Sequence, residues 1–152
     1  MAIQHWSPRV ELTKREEFII RRMGRVRKLL AFFRRHRREL LDDAFQQELA
    51  AMYRDTGAGV APVAPGLMAM ATLVQGYLGA SDATMVELTV LDLSVQMVLD
   101  CLGTEEPAFS QGAFADFRAR FIRHDMDRRL LEKTVEIARR TKRKPRRAGN
   151  WC

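Results

Sequence analysis

Apolar residues recur at helical spacing along most of the chain, and nowhere do they alternate with polar ones as a half-buried strand requires. Between Arg9 and Arg35, Phe18, Ile19, Val26, Leu29, Leu30 and Phe33 mark a charged, amphipathic helical segment that Gly24 either splits or weakens. A second helix is expected from Glu39 to Arg54, with Leu41, Phe45, Leu49 and Met52 as its apolar stripe and Asp42 and Asp43 at the positive end of its dipole. The glycine- and proline-rich stretch from Asp55 to Pro65 reads as a loop. It lacks the Gly-Lys-Ser/Thr that would make it a phosphate-cradling loop. Pro65 suits the first turn of a helix that runs to Leu78, is apolar on nearly every face, and therefore belongs at the centre of the core.

Gly79 stops that helix. Ser81 or Asp82 then caps a short helix through Val86 and Leu88, and Asp92 caps another that ends near Leu102. After a turn at Gly103–Pro107, Ser110 reads as the N-cap of a helix from Gln111 to His124. Asp125 can cap the last helix, with Met126, Leu130, Leu131, Val135 and Ile137 facing inward. From Thr141 the pattern dissolves into a flexible basic tail. The expected class is all-α: a compact multi-helix domain of about seven helices over residues 1–140, with a helix-turn-helix-like segment, followed by a disordered basic tail over residues 141–152.

The chain has 152 residues, 47% of them apolar, which is enough for one cored domain. Its net charge of +7 is unevenly placed. Residues 1–40 hold 12 Lys/Arg against 4 Asp/Glu, residues 41–117 hold Arg54 against 11 acids, and residues 118–152 hold 13 against 4. An acidic, apolar middle between two basic ends points to a polyanion surface built from the ends. The alternative is that the ends merely neutralise the middle. No segment resembles a signal peptide or a membrane-spanning helix, so a cytoplasmic location is expected and membrane binding is not. Cys101 and Cys152 suggest neither a metal site nor a disulfide framework.

The helix from Gln111 carries Phe114, Phe117 and Phe121 on one face. Ala115, Asp116, Ala119, Arg120 and Arg123 lie opposite, with Gln111 and Arg118 on the shoulder. Small side chains let a helix approach a DNA groove closely, arginine grips guanine or phosphate, and glutamine pairs with adenine. With the preceding helix this resembles a helix-turn-helix, although residues 103–109 make a longer turn than that motif uses. An ordinary amphipathic surface helix is the competing reading. Arg34, Arg35, Arg37 and Arg38, beside Phe32 and Phe33, and Arg128, Arg129 and the basic tail suit phosphate contacts, with a solvated helix face as the alternative. The histidines, His5, His36 and His124, are far apart. The aspartates read as caps, first-turn acids or exposed helix positions, so catalysis and cofactors are not expected.

Several spaced motifs resemble the InsH-like N-terminal domain of bacterial DDE-type insertion-sequence transposases. They are His36-Arg37-Arg38-Glu39-Leu40-Leu41-Asp42-Asp43, Pro65 through Tyr77, Ser81-Asp82 followed by Val86-Glu87-Leu88-Thr89, and Pro107-Ala108-Phe109-Ser110 leading to Asp116-Phe117-Arg118-Ala119-Arg120-Phe121. The resemblance covers roughly residues 30–140. It implies binding to terminal-repeat double-stranded DNA. Members of the family continue into a catalytic domain with an Asp-Asp-Glu set, to which no residue here corresponds, so the resemblance also implies a truncated chain that binds DNA without cutting it. Two other readings accompany it. The domain could pair with itself or with a full-length transposase as an inhibitor, burying Met85, Leu88 and Met97, or it could be an inactive remnant.

Overall fold

The computed structural model describes residues 3–53 and 63–142. Among them are eight α-helices and no strand: α1 (Lys14–Met23), α2 (Lys28–Leu40), α3 (Asp43–Ala51), α4 (Pro65–Leu78), α5 (Asp82–Leu91), α6 (Leu93–Val98), α7 (Gln111–Arg123) and α8 (Met126–Lys142). The all-α expectation is met. Most of the expected loop and tail, residues 54–62 and 143–152, lies outside the described residues.

Local chemistry sets the boundaries. Thr13 and Glu16 form a capping box: the Thr13 hydroxyl accepts from the Glu16 N–H at 3.1 Å, and the Glu16 carboxylate accepts from the Thr13 N–H at 3.0 Å. Gly24, at a positive φ of 56°, does split the first segment, and Arg27 completes the bend in the left-handed region at φ 59°. Asp42 caps α3, Ser81 caps α5, Asp92 caps α6 and Ser110 caps α7, each accepting a backbone N–H three residues on. Asp125 departs from expectation. It adopts φ 59° and its carboxylate accepts from Arg128 instead of capping α8. Helix α8 continues to Lys142, one residue past the expected onset of the tail.

Helix α4 is central, with Met68, Ala69, Met70, Ala71 and Val74 buried and α2, α3, α5 and α7 packed around it. Phe114, Phe117 and Phe121 of α7 are buried as predicted, with Phe109 stacked on Phe114 and Phe117 on Phe121. Leu131 and Val135 differ: they are 57% and 41% exposed, because α8 turns Leu130, Thr134 and Ile137 inward instead.

The segment before α1 is extended and held by side chains. Gln46 accepts the Trp6 N–H at 2.6 Å and donates to the carbonyls of Trp6 and Leu41, both at 2.8 Å. Gly66 on α4 makes room for this contact. A Cβ there would lie 2.8 Å from Gln46 Oε1 and 3.0 Å from Trp6 Cβ. Gln46 cannot give way without releasing Trp6, so Gly66→Ala should cost ~1–2 kcal/mol net of its helix-propensity gain. Gly76→Ala, where a Cβ meets nothing within 4 Å, should stabilise by roughly 0.5–1 kcal/mol. Urea unfolding midpoints of the two variants should move in opposite directions.

Candidate nucleic-acid interface

The arginines of α2 divide by helical phase. Leu30, Phe33 and Leu40 form the buried stripe, and Arg34 and Arg37 fall within it, each about 1% exposed. Arg34 donates to Glu16 at 2.5 Å (Nε) and 3.0 Å (Nη2), and to the carbonyls of Glu11 at 2.8 Å and Val10 at 3.3 Å. Arg37 donates to the carbonyls of Met97 at 2.9 Å, Val98 at 3.1 Å and Arg9 at 2.8 Å, with Asp100 at 3.5 Å. Burial and the neighbouring Arg34 charge pull Arg37 down against the charges of Asp100 and Glu16, to about 10, so it stays cationic at neutral pH. The expectation that Arg34 and Arg37 contact phosphate is therefore corrected: both are structural ties from α2 to the N-terminal segment, and Arg37 also reaches α6. Arg35 and Arg38 are exposed and unpaired among the described residues.

On helix α7, Arg118 and Arg120 are partly exposed and have partners within the fold. Arg118 pairs with Asp82 and lies 3.5 Å from Gln75 Oε1, joining α7 to α5 and α4. Arg120 donates to the Met52 carbonyl at 2.9 Å and stacks over Tyr53 at 4.6 Å. Gln111 and Arg123 are exposed at opposite ends of the helix, with Asp116 between them. The connection in the helix-turn-helix-like segment is longer than the expected turn at residues 103–109. Helix α6 spans only Leu93–Val98, residues 99–110 separate it from α7, and α7 packs chiefly against α4, α5 and α8.

Arg128 and Arg129 sit on the surface of α8, 65% and 45% exposed. Arg128 pairs with Asp125 and, at 3.5 Å, with Glu132, while Arg129 pairs with Glu48 at 2.6 Å and lies over Phe45. Exposed pairs of this kind are worth about 0–1 kcal/mol, so a phosphate could replace the carboxylate at little cost. The C-terminal helix is also tied to the N-terminal ones by Lys133–Asp42 at 3.0 Å and Arg140–Glu39. The Glu39 contact puts the C-terminal ends of α2 and α8 side by side. Arg35 and Arg38 thus share one end of the molecule with Arg139, Arg140 and Lys142. Lys142 belongs to the basic tail expected from Thr141, whereas Arg139 and Arg140 are not singled out by the sequence, although the inward stripe through Thr134 and Ile137 carries the helix over them.

The remaining chemistry is structural. Asp42 and Asp92 cap helices, and Asp92 also pairs with Arg27. Burial, then the Asp100 charge, push the Cys101 thiol up to about 11, so it is a poor nucleophile at neutral pH. Among the described residues no three of His, Cys, Asp and Glu converge on a metal-sized site, and no helix is long and apolar enough to cross a membrane. Met85 and Met97, expected to bury in a dimer contact, are fully enclosed within the core, and Leu88 is half-buried. Exposed apolar side chains lie instead at Tyr77, Ile122 and Leu131, along a groove of about 690 Å³ between α2, α4, α7 and α8.

No curated protein and no solved structure matches the chain. A family model described as Transposase domain (DUF772) matches residues 24–120, from the bend before α2 to the last turn of α7, and takes in Arg34, Arg37, Arg118 and Arg120 but not residues 9–16, to which Arg34 and Arg37 are tied. That match spans well over half of the sequence, and the chain accordingly belongs to this transposase-domain family.

Proposed function

We propose that this chain is the DNA-binding N-terminal module of an insertion-sequence transposase, recognising terminal-repeat double-stranded DNA and carrying none of the bond-breaking chemistry itself. The observation that carries the reading is the lateral pairing of α8 with α2 and α3. It brings the two basic ends of the sequence together, while Arg35, Arg38, Arg139 and Lys142 keep their charge unpaired among the described residues. Neutralisation of the acidic middle by the ends is only partial: Asp42, Asp82 and Asp92 take Lys133, Arg118 and Arg27, and the exposed cations remain over. Within this reading Arg35, Arg38, Arg128 and Arg129 hold phosphates, and Gln111 and Arg123 are the side chains of α7 free to meet base edges.

The test is a salt titration of binding to the terminal-repeat duplex and to a scrambled duplex of equal length. About six phosphate contacts would lower the affinity for both by roughly 10³-fold between 50 and 200 mM salt. The repeat should retain an advantage that Arg123→Ala reduces. Equal binding of the two duplexes at every salt concentration removes terminal-repeat recognition, and salt-independent binding removes the phosphate contacts.

A further inference from the structure

The densest unpaired positive charge in the described residues is on α1 and the bend after it, and none of the residues assigned above belongs to it. At 3.6 residues per turn, Glu16, Ile19, Ile20 and Met23 share the inward side of α1. Lys14, Arg15, Phe18, Arg21 and Arg22 fall in an opposite arc of about 120°. All five are exposed, and Arg25 and Lys28 extend the same charge past Gly24. None of these cations takes part in an ion pair among the described residues: the exposed Glu17, three residues after Lys14 and four before Arg21, pairs with neither, and Glu16 is turned inward onto Arg34.

Phe18 gives the face its form. It is 43% exposed, and the guanidiniums of Arg15 and Arg22 lie 5.7 and 5.6 Å from its ring centre. Stacking on the ring holds two long side chains outward, so less conformational entropy is lost when they meet an anion. The helix is about 15 Å long, and a duplex of that length carries about nine phosphates. A convex helix face with one aromatic ring between arginines matches a run of phosphates better than a stack of single-stranded bases, which calls for several open aromatic platforms. Lipid would require an apolar face free to enter the bilayer, and the apolar side of α1 is spent on the core.

We infer that the exposed face of α1, with the bend to α2, is a phosphate-backbone clamp for duplex DNA that works without sequence preference. The inference rests on the proposed DNA-binding role and adds to it the element that supplies most of the non-specific affinity. Helix α1 is anchored to α2 through Glu16–Arg34, so DNA held there is held in fixed relation to Arg35 and Arg38.

The experiment uses the full chain, a scrambled duplex of about 30 base pairs, a single strand of the same length, and phosphatidylserine vesicles. The variant is Arg21→Gln/Arg22→Gln/Arg25→Gln, whose side chains are exposed and whose thermal unfolding should match the parent. Each lost phosphate contact removes about 0.9 from the slope of log affinity against log salt, so the triple variant should lose about 2.7 and bind scrambled duplex more than tenfold less tightly at low salt. The corresponding triple lysine variant should keep the parental slope. An unchanged slope in the glutamine variant, with the parent binding duplex, overturns the clamp and leaves the DNA-binding reading standing. Absence of duplex binding by the parent overturns both. A loss confined to the single strand or to the vesicles overturns the clamp in favour of that ligand.

Discussion

Glu16→Ala should destabilise the protein by about 3–5 kcal/mol, the range for removing one partner of a buried ion pair. Arg34 would keep only the carbonyls of Val10 and Glu11 as partners, with its guanidinium still about 1% exposed. The Thr13 N–H would also lose its acceptor in the capping box. In a domain of this size the unfolding midpoint should fall on the order of 10 °C. Arg34→Met combined with Glu16→Leu should recover part of the loss, because it removes the buried charge along with its partner.

The same carboxylate predicts the acid response. Burial raises its pKa, but the Arg34 hydrogen bond, the Thr13 N–H and the charges of Arg34 and Arg37 outweigh that and hold it at about 2, against 4.5 for a free glutamate. The folded value lies below the unfolded one. The contribution, roughly 3 kcal/mol, is therefore present above the unfolded value of 4.5 and is lost as the pH falls toward 2. Asp92 adds to the trend in the same direction: burial raises it, and hydrogen bonds from Arg27, Ser94 and the Val95 N–H lower it further. Urea unfolding followed from pH 7 to pH 3 should show Glu16→Ala losing less stability than the parent. Parallel curves would mean that the buried pair does not set the acid limb.

Local rules with short reach were legible in the sequence. Pro65 and Gly79 bound α4, Ser110 caps α7, and the spacing of Phe114, Phe117 and Phe121 places the inward face of that helix. Among the described residues eight helices stand where about seven are expected, because Gly24 splits the first segment. The Thr13-x-x-Glu16 box that marks α1 was in plain view and would have exposed its basic face. What the sequence hid was which arginines turn inward. Arg34 and Arg37 stand four residues after Leu30 and Phe33, so they continue the apolar stripe, but their partners come from residues 9–16 and 97–100, and no local pattern names those. The partners of Arg118 and Arg120 escape local patterns for the same reason, since Asp82 and the Met52 carbonyl are distant in sequence. Charge counted along a chain gives the polyanion argument, and only the fold sorts charge that is spent from charge that is free.

Arg37 and Arg38 make that sorting measurable between adjacent residues. Arg37→Ala should cost about 2–4 kcal/mol, because it strips charged donors from the carbonyls of Val98 and Arg9 and leaves that of Met97 only backbone donors such as the Asp100 N–H, and each buried acceptor left without a partner costs about 1–3 kcal/mol. The loss is reduced by the fact that Arg37 Nε is itself buried without a hydrogen bond, and by relief of the repulsion from Arg34. Arg37→Lys should recover little, since an ammonium cannot reproduce the fork that reaches both α6 and the N-terminal segment. Arg38→Ala, on the exposed side of the same turn, should stay within about 0.5 kcal/mol of the parent. On duplex DNA the order should reverse: at a temperature where Arg37→Lys is fully folded it should keep the parental salt slope, while Arg38→Ala should lose about 0.9 from it. Similar stability losses for Arg37→Ala and Arg38→Ala would show that burial does not separate the two roles, and the assignment of free arginines to DNA would lose its physical basis.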